Sequence, residues 1–188
     1  MLARLPGATQ QRVIGAMRTI ERELDGRAPA EVRLRAHRPG DMGWVIGAHG
    51  RLYAEEFGWD ERFEALVAGI AADFINDFDK SRERCWIAEM NGEPVGCVFL
   101  VKKSKSVAKL RLLIVEPKAR GIGLGRRLVE ECIAFARAKG YRKLVLWTQS
   151  NLAAARAIYR GAGFRRVRTE PHSSFGARLV GESWEFAL

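Results

Sequence analysis

The segment VEPKARGIGLGRR, residues 115–127, places Gly121, Gly123 and Gly125 on alternate positions, bracketed by Arg120, Arg126 and Arg127. Glycine lets a ligand approach the backbone where a Cβ would hold it off. An apolar run ends just before these residues and an amphipathic one begins just after. The glycines therefore fall where a strand hands over to a helix, whose first turn offers unpaired N–H groups and the positive end of its dipole. Such a turn suits an anion, and the arginines make phosphate the natural choice. Between Lys102 and Arg127 nine lysines and arginines stand against Glu116 alone.

Two familiar phosphate loops do not fit. A P-loop needs G-x-x-x-x-G-K-[ST], and no Lys-Ser or Lys-Thr follows these glycines. A dinucleotide fingerprint needs G-x-G-x-x-G with an acidic residue about twenty positions on; here the spacing is G-x-G-x-G and that acid is missing.

The elements that must position the loop can be read from periodicity. Val32, Leu34 and Ala36 alternate with charged residues as in a half-buried strand, and 42–57 and 61–78 read as helices with aromatic faces. Asn91-Gly92 suits a tight turn in a hairpin, and a further strand runs over 109–115. Past the glycines, Leu124, Leu128, Cys132 and Phe135 form a helical stripe that stops at Lys139-Gly140. The run 142–148, nearly all apolar, is expected to be a strand buried on both faces. A short helix over 152–160 and two strands, 164–169 and 183–188, complete an α/β (α+β) fold: a mixed central sheet flanked by helices. An extra N-terminal helix over residues 6–25 precedes it.

Composition agrees with one globular domain: 47% hydrophobic and 29% charged residues over 188 positions. No apolar run is long enough to span a membrane, and no secretory signal is evident, so a cytoplasmic location is expected. Cys85, Cys97 and Cys132 make no C-x-x-C pair and read as buried apolar residues, not metal ligands. A net charge of +10 favours an anionic partner.

The R-x-x-G-x-G pattern after a strand ending in Val-Glu-Pro resembles the acetyl-CoA diphosphate loop of the GNAT N-acetyltransferase superfamily. Some forty residues on, the run from Ala155 through Ile158, Tyr159, Arg160 and Gly161 to Gly163-Phe164 is similar to that family's A-x-x-[LI]-Y-x-x-x-G-F segment. The element order matches over 31–188. The resemblance implies acetyl-CoA as co-substrate and direct acetyl transfer to a primary amine of a small molecule or peptide. It also assigns sites. Leu113 and Val115 would offer backbone groups to the pantetheine arm. Arg120, Gly121, Ile122, Gly123, Leu124, Gly125 and Arg126 would hold the diphosphate, with Arg127 adding charge. Tyr159 would protonate the departing thiolate, and a backbone N–H near Val115 would meet the oxyanion.

One departure concerns the asparagine often found seven residues before the tyrosine. Leu152 stands there and Asn151 sits one place early, with Gln149 and Ser150 as substitutes. An alkylamine is unprotonated at only about one part in a thousand near pH 7, so a base is useful. The strand before the loop holds no carboxylate. Glu56 leads the candidates, with His49 two turns away on the same helix; Tyr53, Glu55 and His172 are the others.

Residues 1–30 resemble the last helix of MarR-type regulators, which in some bacterial proteins precede a GNAT domain. That reading allows a homodimer, and leaves as alternative a non-catalytic acyl-CoA- or metabolite-sensing module descended from such a regulator. A nucleic-acid partner, suggested by charge alone, ranks last.

Overall fold

The computed structural model describes residues 31–188 together with Gln10, Val13, Ala16, Met17 and Ile20. Those five positions are helical; the rest of the helix expected over 6–25, and the domain boundary near residue 30, lie outside the described residues. The elements are β1 (Val32–Ala36), α1 (Asp41–Phe57), α2 (Glu61–Asn76), β2 (Arg84–Met90), β3 (Glu93–Lys102), β4 (Val107–Val115), a 3-10 turn (Pro117–Ala119), α3 (Leu124–Ala138), β5 (Lys143–Gln149), α4 (Ala153–Gly161), β6 (Arg165–Ser174) and β7 (Ala177–Ala187).

Local chemistry sets most of these boundaries. The Asp60 side chain accepts from the Arg62 N–H and starts α2. Gly58, at φ 68°, ends α1 in the left-handed region that glycine tolerates. Asn91 and Gly92, at φ 55° and 80°, make the tight turn between β2 and β3.

The seven strands form one sheet in the order β1-β2-β3-β4-β5-β7-β6. Every pairing is antiparallel except β4 with β5. On one face α3 buries Leu124, Leu128 and Cys132 against Val98, Leu100, Leu144 and Leu146. On the other, α1 and α2 bury Val45, Leu52, Val67 and Phe74 against Cys85, Ile87, Cys97 and Phe99. Each fully buried Leu or Phe contributes about 2 kcal/mol of transfer free energy. All three cysteines are buried and unpaired, as expected.

Two expectations need correction. Strand β5 is not buried on both faces: Leu144, Leu146 and Thr148 face the α3 side, whereas Trp147 is 45% exposed. The second helical layer, α1 and α2, packs over β2–β4 and the β6–β7 tip and does not cover Trp147 of β5. The last two strands are also longer than their apolar cores suggest. They form one hairpin, Arg165–Ser174 and Ala177–Ala187, turning at Phe175-Gly176 and taking in residues between the expected strands 164–169 and 183–188.

Candidate active site

The site begins where the sheet comes apart. β4 and β5 pair only through Val107–Lys109 and Lys143–Val145; beyond that register the two strands separate. Within β4, Leu112 and Leu113 together oppose Val98, a β-bulge in which Leu112 takes φ 51°. The Glu116 N–H donates to the Val95 carbonyl at 2.8 Å. By the alternation of an antiparallel ladder, the N–H and C=O of Val115 then point the other way, towards the parted edge. There the Val115 carbonyl accepts from Arg120 Nε at 3.0 Å.

The chain next makes its 3-10 turn and reaches the glycines, which serve different purposes. Gly121 and Gly123 both sit at φ 80°, and a Cβ on either would meet nothing within 4 Å. They are needed for backbone conformation, and the space above them is open to a ligand. Gly123 is the N-cap of α3 and has no side chain to satisfy the first-turn N–H groups. At Gly125 the reason is packing: a Cβ there would lie 2.8 Å from Ile158 Cδ1 of α4. Of the alternate glycines, two shape the turn and one lets two helices approach.

A cavity of about 500 Å³ joins these parts. Its walls include Leu113, Val115, Arg120, Gly121, Gly123, Leu124, Gly125, Arg126 and Asn151. Ile122 is 44% exposed and stands outside the lining. Arg126 pairs with Glu130 one turn along α3 at 2.9 Å, and Arg127 is directed to the Val32 carbonyl of β1. Asn151 lines the cavity without a side-chain hydrogen bond to the described residues. Of its substitutes, Gln149 is buried, with Oε1 3.0 Å from His172 Nε2 and Nε2 unpartnered. Ser150 is tied through its backbone N–H to Val180.

The opposite wall comes from α1: Leu52, Tyr53, Glu56 and Phe57. Two ion pairs fasten this helix to the loop, Arg51 to Glu116 at 2.8 Å and Glu56 to Arg120 at 2.6 Å. Arg120 therefore spans the cavity, from the Val115 carbonyl to Glu56, instead of pointing at the glycine turn. Burial, reinforced by Glu56, pushes the Tyr53 phenol up to about 12, so it is a hydrogen-bond donor at neutral pH and not a base.

The structure does not bring His49 to this cavity. Its ring is 2% exposed, sits 2.8 Å from the Val45 carbonyl and stacks on Tyr53. Burial draws its pKa down to about 4. His49 and Glu56 are two helical turns apart, yet His49 is buried in the core whereas Glu56 lines the cleft. His172 lies on β6, held by Ser174 and Gln149 and beside Trp147, and is not part of the lining.

Tyr159 on α4 is 5% exposed, packed against Phe164 and Trp184, just beyond the wall formed by Ala155 and Ile158. Burial first, and then Tyr53, raise its pKa, so the phenol is protonated. Its hydroxyl makes no hydrogen bond to the described residues. α4 is held by Glu182 of β7, a 1% exposed carboxylate that accepts from Arg156, Arg166 and Trp184. Leu52, Phe57 and Leu152 complete the wall; nothing in their apolar character set them apart from core residues in the sequence. Among the described residues no group of His, Cys, Asp and Glu could hold a metal ion.

The glycine turn from β4 into α3, and the α4 segment around Tyr159, are the parts that carried the resemblance in the sequence. The model of the acetyltransferase (GNAT) family matches residues 48–164, and the chain belongs to that family. It is 30% identical to N-acetyltransferase family 8 member 7 of Mus musculus over 121 residues, 61% of this chain and 53% of that protein. It is 28% identical to the mycothiol acetyltransferase of Amycolatopsis mediterranei (strain U-32) over 155 residues, 74% of this chain and 48% of that one. The chain thus spans about half the length of these curated relatives. Among solved structures, an N-acetyltransferase from Staphylococcus aureus Mu50 superposes with a TM-score of 0.70 at 17% identity, covering 84% of this chain and 99% of that one. A Salmonella typhimurium structure holding its cofactor acetyl-CoA superposes at 0.67 and 18% identity, covering 84% and 94%. At these identities the superpositions establish the fold.

Proposed function

We propose that this protein transfers an acetyl group from acetyl-CoA directly to the primary amine of a small molecule or peptide. The observation that carries the reading is the single cavity shared by the open glycine turn, the parted edge of β4 and the α1 wall. The glycine turn presents first-turn N–H groups of α3 to a diphosphate. Leu113 and, once Arg120 moves aside, the Val115 C=O offer backbone groups to the pantetheine amides. Acetyl-CoA supplies the thioester. The amine nitrogen forms the new C–N bond, the C–S bond breaks, and CoA leaves as the thiol. A backbone N–H at Val115 stabilises negative charge on the carbonyl oxygen. Tyr159, kept protonated by burial, gives its proton to the sulfur.

On the acceptor side, Glu56 is the carboxylate that lines the cavity. It becomes free to receive the ammonium, or to take its proton through water, when Arg120 turns to the diphosphate. His49 has no place in this scheme. The test is turnover of a panel of primary amines followed by CoA release. Replacing Tyr159 by Phe should lower kcat at least about tenfold with acetyl-CoA affinity unchanged. A non-catalytic acyl-CoA sensor would show no turnover to lose.

A further inference from the structure

The cavity shared by the glycine turn and α1 has two chemically different ends. Among the described residues that line it, the cations are Arg120 and Arg126, supplied by the glycine turn and the start of α3. Its α1 wall has no cation among the described residues. There Leu52, Tyr53, Glu56 and Phe57 face the cavity over two successive helical turns, and Glu56 is the sole acid among the described residues of the lining. Tyr53 and Phe57 are half-buried, with ring centroids 5.4 Å apart. Leu152, at the start of α4, lines the same space and packs in the same apolar cluster as these two rings.

This end adjoins the reaction centre. The Arg120 guanidinium donates both to the Val115 carbonyl, at 3.0 Å, and to Glu56, at 2.6 Å. The Glu56 carboxylate thus stands one guanidinium away from the parted edge of β4. Tyr53 lies near enough to Tyr159 to act on its phenol. The Tyr53 hydroxyl makes no hydrogen bond to the described residues, and a neutral phenol accepts as well as donates. When a diphosphate draws Arg120 away, Glu56 is left as a negative charge beside two aromatic rings. A carboxylate and aromatic faces together hold an ammonium. A second carboxylate brought to the same wall would be repelled by Glu56 and would find no partner there.

We infer that the acceptor is a hydrophobic amine, an arylalkyl or alkyl amine without a carboxylate beside its nitrogen, its ammonium received by Glu56 and its carbon body lying on Tyr53, Phe57 and Leu152. The inference rests on the acetyltransferase reading and adds the substrate class.

Acetyl transfer to phenethylamine, L-phenylalanine and L-phenylalaninamide tests it; the amide keeps the bulk of the amino acid and lacks its negative charge. Phenethylamine should exceed L-phenylalanine in kcat/KM by roughly tenfold or more, and the amide should recover most of that difference. Glu56→Gln should narrow the gap between phenethylamine and L-phenylalanine, whatever it does to the rate of either. Phe57→Ala should lower kcat/KM for phenethylamine by roughly tenfold and for propylamine by much less, a contrast that general loss of structure would not give. Parity or a preference for the acid in the parent protein, an amide as poor as the acid, a gap unchanged in Glu56→Gln, or equal losses in Phe57→Ala would each overturn the inference. If acetyl-CoA binds and no amine turns over, the CoA-bound protein is titrated with the same three compounds. Failure to bind phenethylamine more tightly than the acid then overturns it. If acetyl-CoA does not bind, the acetyltransferase reading fails, and the inference is judged on Arg120→Gln, in which Glu56 is free. Tighter binding of phenethylamine than of L-phenylalanine to that variant supports the assigned wall, and its absence overturns it.

Discussion

Arg120 was legible in type, but the partners it holds were not. The sequence pattern assigned it to the diphosphate, but its guanidinium lies between the Val115 carbonyl and Glu56. Cofactor entry must compete with both contacts. Partly exposed ion pairs contribute about 0.2–1 kcal/mol, so Glu56→Gln should tighten acetyl-CoA binding by roughly two- to fivefold, measured by titration. A weaker affinity would mean that Glu56 positions Arg120 for the cofactor. The glycines were legible as a pattern, but their reasons were not. Gly123→Ala places a Cβ at φ 80°, a strain of about 1–2 kcal/mol, and should cut acetyl-CoA affinity. Gly125→Ala instead pushes against the mobile end of Ile158, and its cost should appear first in the thermal melt. His49 was not resolved because helical spacing gives the relative direction of two side chains but not how deeply each is packed against the core.

The elements with strong periodicity, α1, α2, α3 and the β2–β3 hairpin, were readable because burial imposes a pattern on their sequence. Only the first half of β6 was, as the strand expected over 164–169: it is the edge strand, exposed along nearly all its length, and its second half carries no alternation to detect. Its hairpin with β7 nevertheless matters, because Phe175 at the tip packs on Trp59 and Phe63 where α1 meets α2. Phe175→Ala should lower stability by about 3 kcal/mol, read from the urea midpoint, and loosen the α1 wall of the cavity. Glu182 ties α4 to the last two strands. Burial raises its pKa, but hydrogen bonds from Arg166 and Trp184 and the charges of Arg156 and Arg166 outweigh that and hold it below its ordinary value of 4.5. A carboxylate depressed in the folded state contributes stability above its unfolded pKa and loses it as pH falls through the folded one. Stability should therefore decline below about pH 4.5, and Glu182→Gln should flatten that acid limb while costing about 3 kcal/mol at neutral pH. An unchanged pH profile would mean that the carboxylate is not ionised in the fold.

At the scale of the whole molecule, the mixed sheet between two unequal helical layers was expected, but their inequality was not. One layer covers both sides of the β4–β5 gap; the other stops short of β5 and leaves Trp147 exposed. The net charge of +10 is consistent with a polyanionic cofactor, and a ligand that binds only the folded state raises its stability by mass action. Among the described residues no helix is long and apolar enough to cross a membrane. The central claim is that the glycine turn and the parted β4 edge hold acetyl-CoA. It is tested most directly by calorimetric titration with acetyl-CoA, with free CoA and NAD as comparators. The account predicts saturable one-to-one binding of acetyl-CoA and CoA, weakened in Gly123→Ala, and no response to NAD. Absence of acetyl-CoA binding, or equal binding of NAD, would contradict it.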